Sequence, residues 1–178
     1  MTHDAEEFDA VVYDLDGTLV RLVVDWDTVA REAAVRFAEA GIDASDENLW
    51  TMLDLADANG LRDAIEAILA AHEREGASKS VRLPTADCLA DSAVPVGVCS
   101  LNAESACRTA LDTHGLAPHV DSVVGRDSVA TRKPDPEPLL TVVRALDATP
   151  ERTLFVGDTD RDAETARRAG TAFHRVEE

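Results

Sequence analysis

The sequence predicts an α/β protein: a parallel sheet covered by helices on both faces, interrupted after its first strand by a helical insertion. Three observations carry this. The apolar run Val11-Val12-Tyr13 ends in Asp14-Leu15-Asp16-Gly17, and a buried parallel strand reads as an unbroken apolar run closed by a turn signal. From about residue 80 onward, strand-like and helix-like patterns alternate, the sign of right-handed βαβ units. Between these parts, from Arg21 to Ser80, only helical periodicity is found.

In chain order, residues 1–9 read as a frayed tail and 10–14 as the first strand. Trp26, Val29, Ala33 and Phe37 share one helical face, and Gly41 stops that helix. Leu49, Met52, Leu53 and Ala56 form a second stripe, stopped by Gly60. Leu61, Ile65, Ile68, Leu69 and His72 form a third, stopped by Gly76. These stripes, Trp26 included, read as core. A short helix is expected over 84–91, a strand over 94–99, a helix over 103–114 and a strand over 122–125. A helix over 136–146 carries Pro near its first turn, where a missing N–H does no harm. A strand over 152–156, a helix over 160–169 and an edge strand over 172–176 complete the chain. No repeat or low-complexity segment interrupts it.

At 178 residues the chain makes one domain, or one with a small insertion. No run approaches a membrane span, and the acidic N-terminus lacks the basic-then-apolar pattern of a secretion signal. The expectation is a cytoplasmic protein with no membrane partner. The net charge is -18, and the only lysines are Lys79 and Lys133. Such acidity argues against binding nucleic acid through its phosphates. It fits a halophilic, salt-adapted host, where self-repulsion is screened. Cys88, Cys99 and Cys107 are odd in number and lack C-x-x-C spacing, so they read as free thiols.

Four polar clusters fall at the carboxyl ends of predicted strands, where open α/β sheets bind ligands. They are Asp14 with Asp16; Ser100-Leu101-Asn102; Lys133 within Arg132-Lys133-Pro134; and Gly157-Asp158-Thr159-Asp160-Arg161-Asp162. Asp14 and Asp16 face the same way if the strand stays regular. So many carboxylates do not stay ionised together without a cation. Oxygen-only ligands point to a hard ion, and Mg²⁺ characteristically takes one or two carboxylates plus phosphate and water. Ser100, the opening N–H groups of the following helix and Lys133 suit an anion. An Asp nucleophile with a second Asp as proton donor then makes a phosphoryl-transfer site. Asp160 reads instead as a helix-start acid favoured by the dipole. His72 reads as a helix-face residue rather than a ligand, His114 and His119 as surface residues, and His3 and His174 offer no triad.

Asp14-Leu15-Asp16-Gly17-Thr18 resembles the first motif of the haloacid-dehalogenase-like hydrolases, and the other clusters resemble their later motifs in the expected order. The resemblance implies a Rossmann-like core over 10–20 and 81–178, with a small α-helical cap over 21–80, as in phosphoglycolate phosphatase-like members. It implies Asp14 as nucleophile and Asp16 as general acid, then base. Ser100 and Asn102 would bind the phosphoryl group, and Lys133 would stabilise both nucleophile and phosphate. Asp14, Asp158 and the Asp16 backbone carbonyl would hold Mg²⁺, with Asp162 behind them. The implied activity is hydrolysis of a small phosphorylated metabolite through an aspartyl-phosphate. A sugar-phosphate mutase or a non-catalytic binding protein on the same fold are the alternatives. Dehalogenases and phosphonoacetaldehyde hydrolases fit less well, because Asp16 is present and the insertion offers only Lys79 as a Schiff-base amine. Phosphoglycolate-like, sugar-phosphate and nucleotide monoesters all stay open.

Overall fold

The computed structural model describes residues 7–176. Five parallel strands form one sheet in the order β5-β4-β1-β6-β7: β1 (Ala10–Tyr13), β4 (Val96–Cys99), β5 (Ser122–Val124), β6 (Thr153–Gly157) and β7 (Ala172–Arg175). Strand β1 lies at the centre, and alternation along it divides the core. Val11 and Tyr13 pack with Val98, Val156 and α4 (Glu104–Thr113), whereas Ala10 and Val12 pack with Phe155, α5 (Glu137–Ala145) and α6 (Asp160–Ala169). All four β1 side chains are buried, so the sheet is covered on both faces as its unbroken apolar runs require. The expected edge strand is β7.

Three helices lie between β1 and β4: α1 (Trp26–Glu39), α2 (Leu49–Asn59) and α3 (Arg62–Ser78). They bury an apolar cluster of their own around Phe37, Met52 and Ile65. The chain leaves the sheet through β2 (Val20–Arg21) and returns through β3 (Val81–Arg82), which pair antiparallel. Two-residue strands carry no usable periodicity, which is why the sequence does not announce them.

Several expectations need correcting. Gly76 does not stop α3, which runs on to Ser78. A Cβ at Gly76 would lie 2.7 Å from the Val23 carbonyl oxygen, so this glycine serves close backbone approach. The helix expected over 84–91 is a 3-10 turn, Pro84–Cys88. Residues 1–6 of the expected tail, His3 among them, lie outside the described residues. The tail does not extend to Asp9, since Phe8 packs on the core and Asp9 N donates to the Arg152 carbonyl at 2.7 Å. Trp26 is not core: Val29, Ala33 and Phe37 are fully buried, while Trp26, in the first turn, protrudes past the end of that cluster. His72 bonds Glu32 across α1 and α3, and His114, expected at the surface, is half-buried against Ser80. Cys99 and Cys107 are buried thiols, and no disulfide joins the three described cysteines. No helix among the described residues is long and apolar enough to cross a membrane.

Candidate active site

The sheet register brings the site together. Tyr13 lies level with Val98 and Val156, so Asp14 emerges beside the ends of β4 and β6, where the chain continues into Ser100 and Asp158. Gly17, at φ +90°, turns the backbone so closely beneath Asp158 that a Cβ there would lie 2.3 Å from Asp158 Oδ2. Asp14 is 6% exposed. Lys133, brought in by the loop between β5 and α5, donates to Asp14 Oδ1 at 2.7 Å, to Asp162 Oδ1 at 2.5 Å and to the Cys99 carbonyl at 3.1 Å. Asp162 also caps its own helix, accepting from Thr159 N and Oγ1. Thr18 Oγ1 reaches Asp158 at 3.5 Å.

Asp14, Asp158 and Asp162 each present an oxygen within 4.8 Å of the others. Burial pushes the Asp14 carboxyl up to about 7 even though Lys133 pulls it down. Burial, and then Asp162, also raises Asp158. One lysine therefore does not balance the site's acids. An all-oxygen donor set with surplus negative charge is the chemistry a hard divalent cation fits. Asp16, two residues past Asp14, accepts from Leu22 N at 2.8 Å, and burial raises its carboxyl pKa.

Ser100 and Asn102 are buried and turn on each other: Ser100 Oγ donates to Asn102 Oδ1 at 3.0 Å and accepts from Asn102 N at 3.2 Å. The opening of α4 differs from expectation. Ala103 N is taken by Glu73 Oε2 at 2.9 Å and Glu104 N by Asp127 Oδ1 at 2.7 Å, so protein carboxylates already occupy donors expected to receive an anion. Buried N–H groups are seldom left unpaired, and here α3 supplies the partner. Asp160 stands in the first turn of α6, as expected, and pairs at the surface with Arg175.

Sequence reasoning missed the Glu73–Arg126 assembly. Arg126, 4% exposed, lies just past β5 and pairs with Glu73 and Glu66 of α3 at 2.7 and 2.6 Å. Burial alone would lower the Arg126 pKa, but the two glutamates overcome it and raise it. Glu73 also accepts from Asn102 Nδ2 at 3.3 Å, which ties α3 to the Ser100 loop. The only sequence signal is that Glu66 and Glu73 lie one heptad apart on the inner face of α3. A cavity of about 360 Å³ opens above Asp14, lined by Lys133, Ser100, Glu73 and Arg126 below and by Trp26 and Trp50 among apolar residues of α1–α3 above. That volume is typical of a small-molecule site.

A family model described as haloacid dehalogenase-like hydrolase matches residues 8–170. A phosphoglycolate phosphatase of Cereibacter sphaeroides is 32% identical over 181 residues, covering 92% of this chain and 82% of the relative. An N-acetylmuramic acid 6-phosphate phosphatase of Pseudomonas putida is 28% identical, over 91% of this chain and 79% of its own. Among solved structures, a HAD-superfamily hydrolase of subfamily IA from Geobacter sulfurreducens superposes with a TM-score of 0.62 at 25% identity, over 93% of this chain and 88% of that one.

Proposed function

The chain belongs to the haloacid dehalogenase-like hydrolases, and from that premise we propose that it is a phosphatase of small phosphate monoesters that works through an aspartyl-phosphate on Asp14. The observation that carries this reading is the convergence of Asp14, Lys133, Asp158 and Asp162 from three separate stretches of chain. In the first step an Asp14 oxygen attacks phosphorus, and the bond from phosphorus to the leaving oxygen breaks. Asp16 gives its proton to that oxygen, and burial, by raising its pKa, suits it to carry one. In the second step Asp16, now ionised, takes a proton from water. The water oxygen attacks phosphorus and the Asp14 acyl-phosphate bond breaks, releasing phosphate and restoring both acids.

Lys133 pulls the Asp14 pKa down against burial and aims its carboxylate. Its three protons are already committed, so it acts on the phosphoryl group through its charge. Ser100 and Asn102 border the phosphoryl position. Asp14, Asp158 and the Asp16 carbonyl would hold Mg²⁺, with Asp162 fixing Lys133 behind them. When bound, such an ion neutralises charge on the phosphoryl oxygens. Residues 21–80 act as a cap over this centre, and residues 10–20 and 81–176 of the described chain form the core. Phosphate release from a panel of monoesters, with and without excess chelator, tests the reading. Asp14→Asn should abolish release with an unchanged circular dichroism spectrum, and chelation should stop the wild-type enzyme. Normal turnover by Asp14→Asn removes the nucleophile, and full activity in chelator removes the metal. Steady phosphate release distinguishes the enzyme from a mutase.

A further inference from the structure

Resting on the phosphatase reading and deepening it, we propose that the monoester taken by this cavity is that of an uncharged alcohol bearing a flat ring, and that a second acid group on the substrate is disfavoured. Among the described lining residues the cations are Lys133 and Arg126, and neither has a donor to spare. Lys133 gives its three protons to Asp14, Asp162 and the Cys99 carbonyl. Arg126 Nε is shared by both oxygens of Glu66, Nη1 donates to Glu73 Oε1 and the Leu101 carbonyl, and Nη2 donates to Glu66 Oε1 and Glu73 Oε2. A guanidinium has five N–H donors, and all five are engaged. A substrate carboxylate at this wall would find no open donor on either of these two cations. It would also face the carboxylates of Glu73 and Asp16 in the same cavity, and apposed like charges repel.

The rest of the lining from the cap helices is apolar and aromatic. Each of the three cap helices contributes: α1 gives Trp26, α2 gives Leu49, Trp50 and Leu53, and α3 gives Leu69. Trp26 and Trp50 remain 39% and 40% exposed beside the cavity rather than packed into the cap's own core. Trp50 is held there from the core, because the Arg161 guanidinium of α6 lies 4.2 Å from its ring centre. Large aromatic faces kept open and held in place beside a phosphoryl site suit a flat ring that stacks on them. The two phosphatase relatives are named for acid substrates, and the proposed preference is one their names do not carry.

The chain's two tryptophans are Trp26 and Trp50, so its intrinsic fluorescence reports on this cavity. The matched probes are phenyl phosphate and phosphoglycolate, titrated into the full-length Asp14→Asn variant and assayed as substrates of the wild type with Mg²⁺. Phenyl phosphate should quench or shift the emission with a Kd at least about tenfold below that of phosphoglycolate, and kcat/KM should follow the same order. Trp50→Ala should raise KM for phenyl phosphate roughly tenfold, the scale of one lost ring stack, with phosphoglycolate changed less than about twofold. Trp50→Phe should retain most of the preference. Glu66→Ala, which unpairs Arg126 Nε, should improve phosphoglycolate several-fold. Equal or better binding and turnover of phosphoglycolate by the wild type overturns the proposal and leaves the phosphatase standing, as does an equal loss for both probes in Trp50→Ala. Selective binding of phenyl phosphate without turnover of any ester sinks the phosphatase and not the preference. No response to phenyl phosphate by either readout sinks the preference.

Discussion

Replacing Glu73 by Ala tests whether α3 is fastened to the catalytic loops by charge. Glu73 is 1% exposed and accepts four hydrogen bonds: from Arg126 Nη1 at 2.7 Å and Nη2 at 3.1 Å, from Ala103 N at 2.9 Å and from Asn102 Nδ2 at 3.3 Å. Removing one partner of a buried ion pair costs about 3–5 kcal/mol, because the other charge stays buried. Glu66 still faces Arg126, which puts the ionic part at the low end. The Ala103 N–H, in a fully buried residue, loses its acceptor as well. The expected loss is therefore about 3 kcal/mol. At about 2–4 °C per kcal/mol for a chain of this size, the melting temperature should fall by roughly 6–12 °C. Circular dichroism melts at fixed salt, with urea midpoints as a check, measure it. Glu66→Ala should cost less, since Glu73 still pairs with Arg126. A Glu73→Ala protein melting within about 2 °C of the wild type would refute the idea that this assembly joins the cap to the core.

Three further outcomes are expected. Gly76→Ala should destabilise, because its Cβ would meet the Val23 carbonyl at 2.7 Å; overpacking costs about 1–3 kcal/mol. A raised melting point, as expected for an unencumbered mid-helix glycine, would contradict the close approach. In metal-free buffer, stability should rise on acidification from pH 8 to 6. Burial lifts Asp14 to about 7, above the roughly 3.9 of an unfolded chain. Folding therefore takes up a proton in that window, and the contribution is lost as pH rises past the folded value. A melting point that does not rise between pH 8 and 6 would show that Asp14 stays ionised throughout. With a net charge of -18, raising salt from about 0.05 to 1 M should raise the melting temperature by screening self-repulsion; an unchanged melt would argue against a salt-adapted surface.

The α/β class was legible because its signals are local. Val11-Val12-Tyr13 reads as a buried strand whatever surrounds it, and the helix expected over 160–169 is found as α6, its start closed in the structure by a capping box between Thr159 and Asp162. The convergence of Asp14, Lys133, Asp158 and Asp162 was legible for a related reason: each follows a strand of one parallel sheet, and such strands end on the same side. Gly76 misled because a glycine within a helix and a glycine ending one look alike in sequence, and only Val23, fifty-three residues away, tells them apart. The pairing of α4's opening N–H groups with Glu73 and Asp127 depends on contacts across 30 and 23 positions, which no periodicity encodes.

The least legible feature, the cavity's upper wall, follows from the same physics. Helical spacing places Trp26 in line with Val29, Ala33 and Phe37, and the bland reading of such a stripe is core. Yet a helix buries only the part of its apolar face that its neighbours reach. Trp26 stands in the first turn of α1 and Trp50 in the first turn of α2, and both helix starts border the cavity above Asp14. Meanwhile Glu66, Glu73, Asp14 and Asp162 use up the buried cations in holding the molecule together. Charge in this site is thus spent on assembly and on the phosphoryl group, and selection among leaving groups falls to shape and apolar contact at two helix starts.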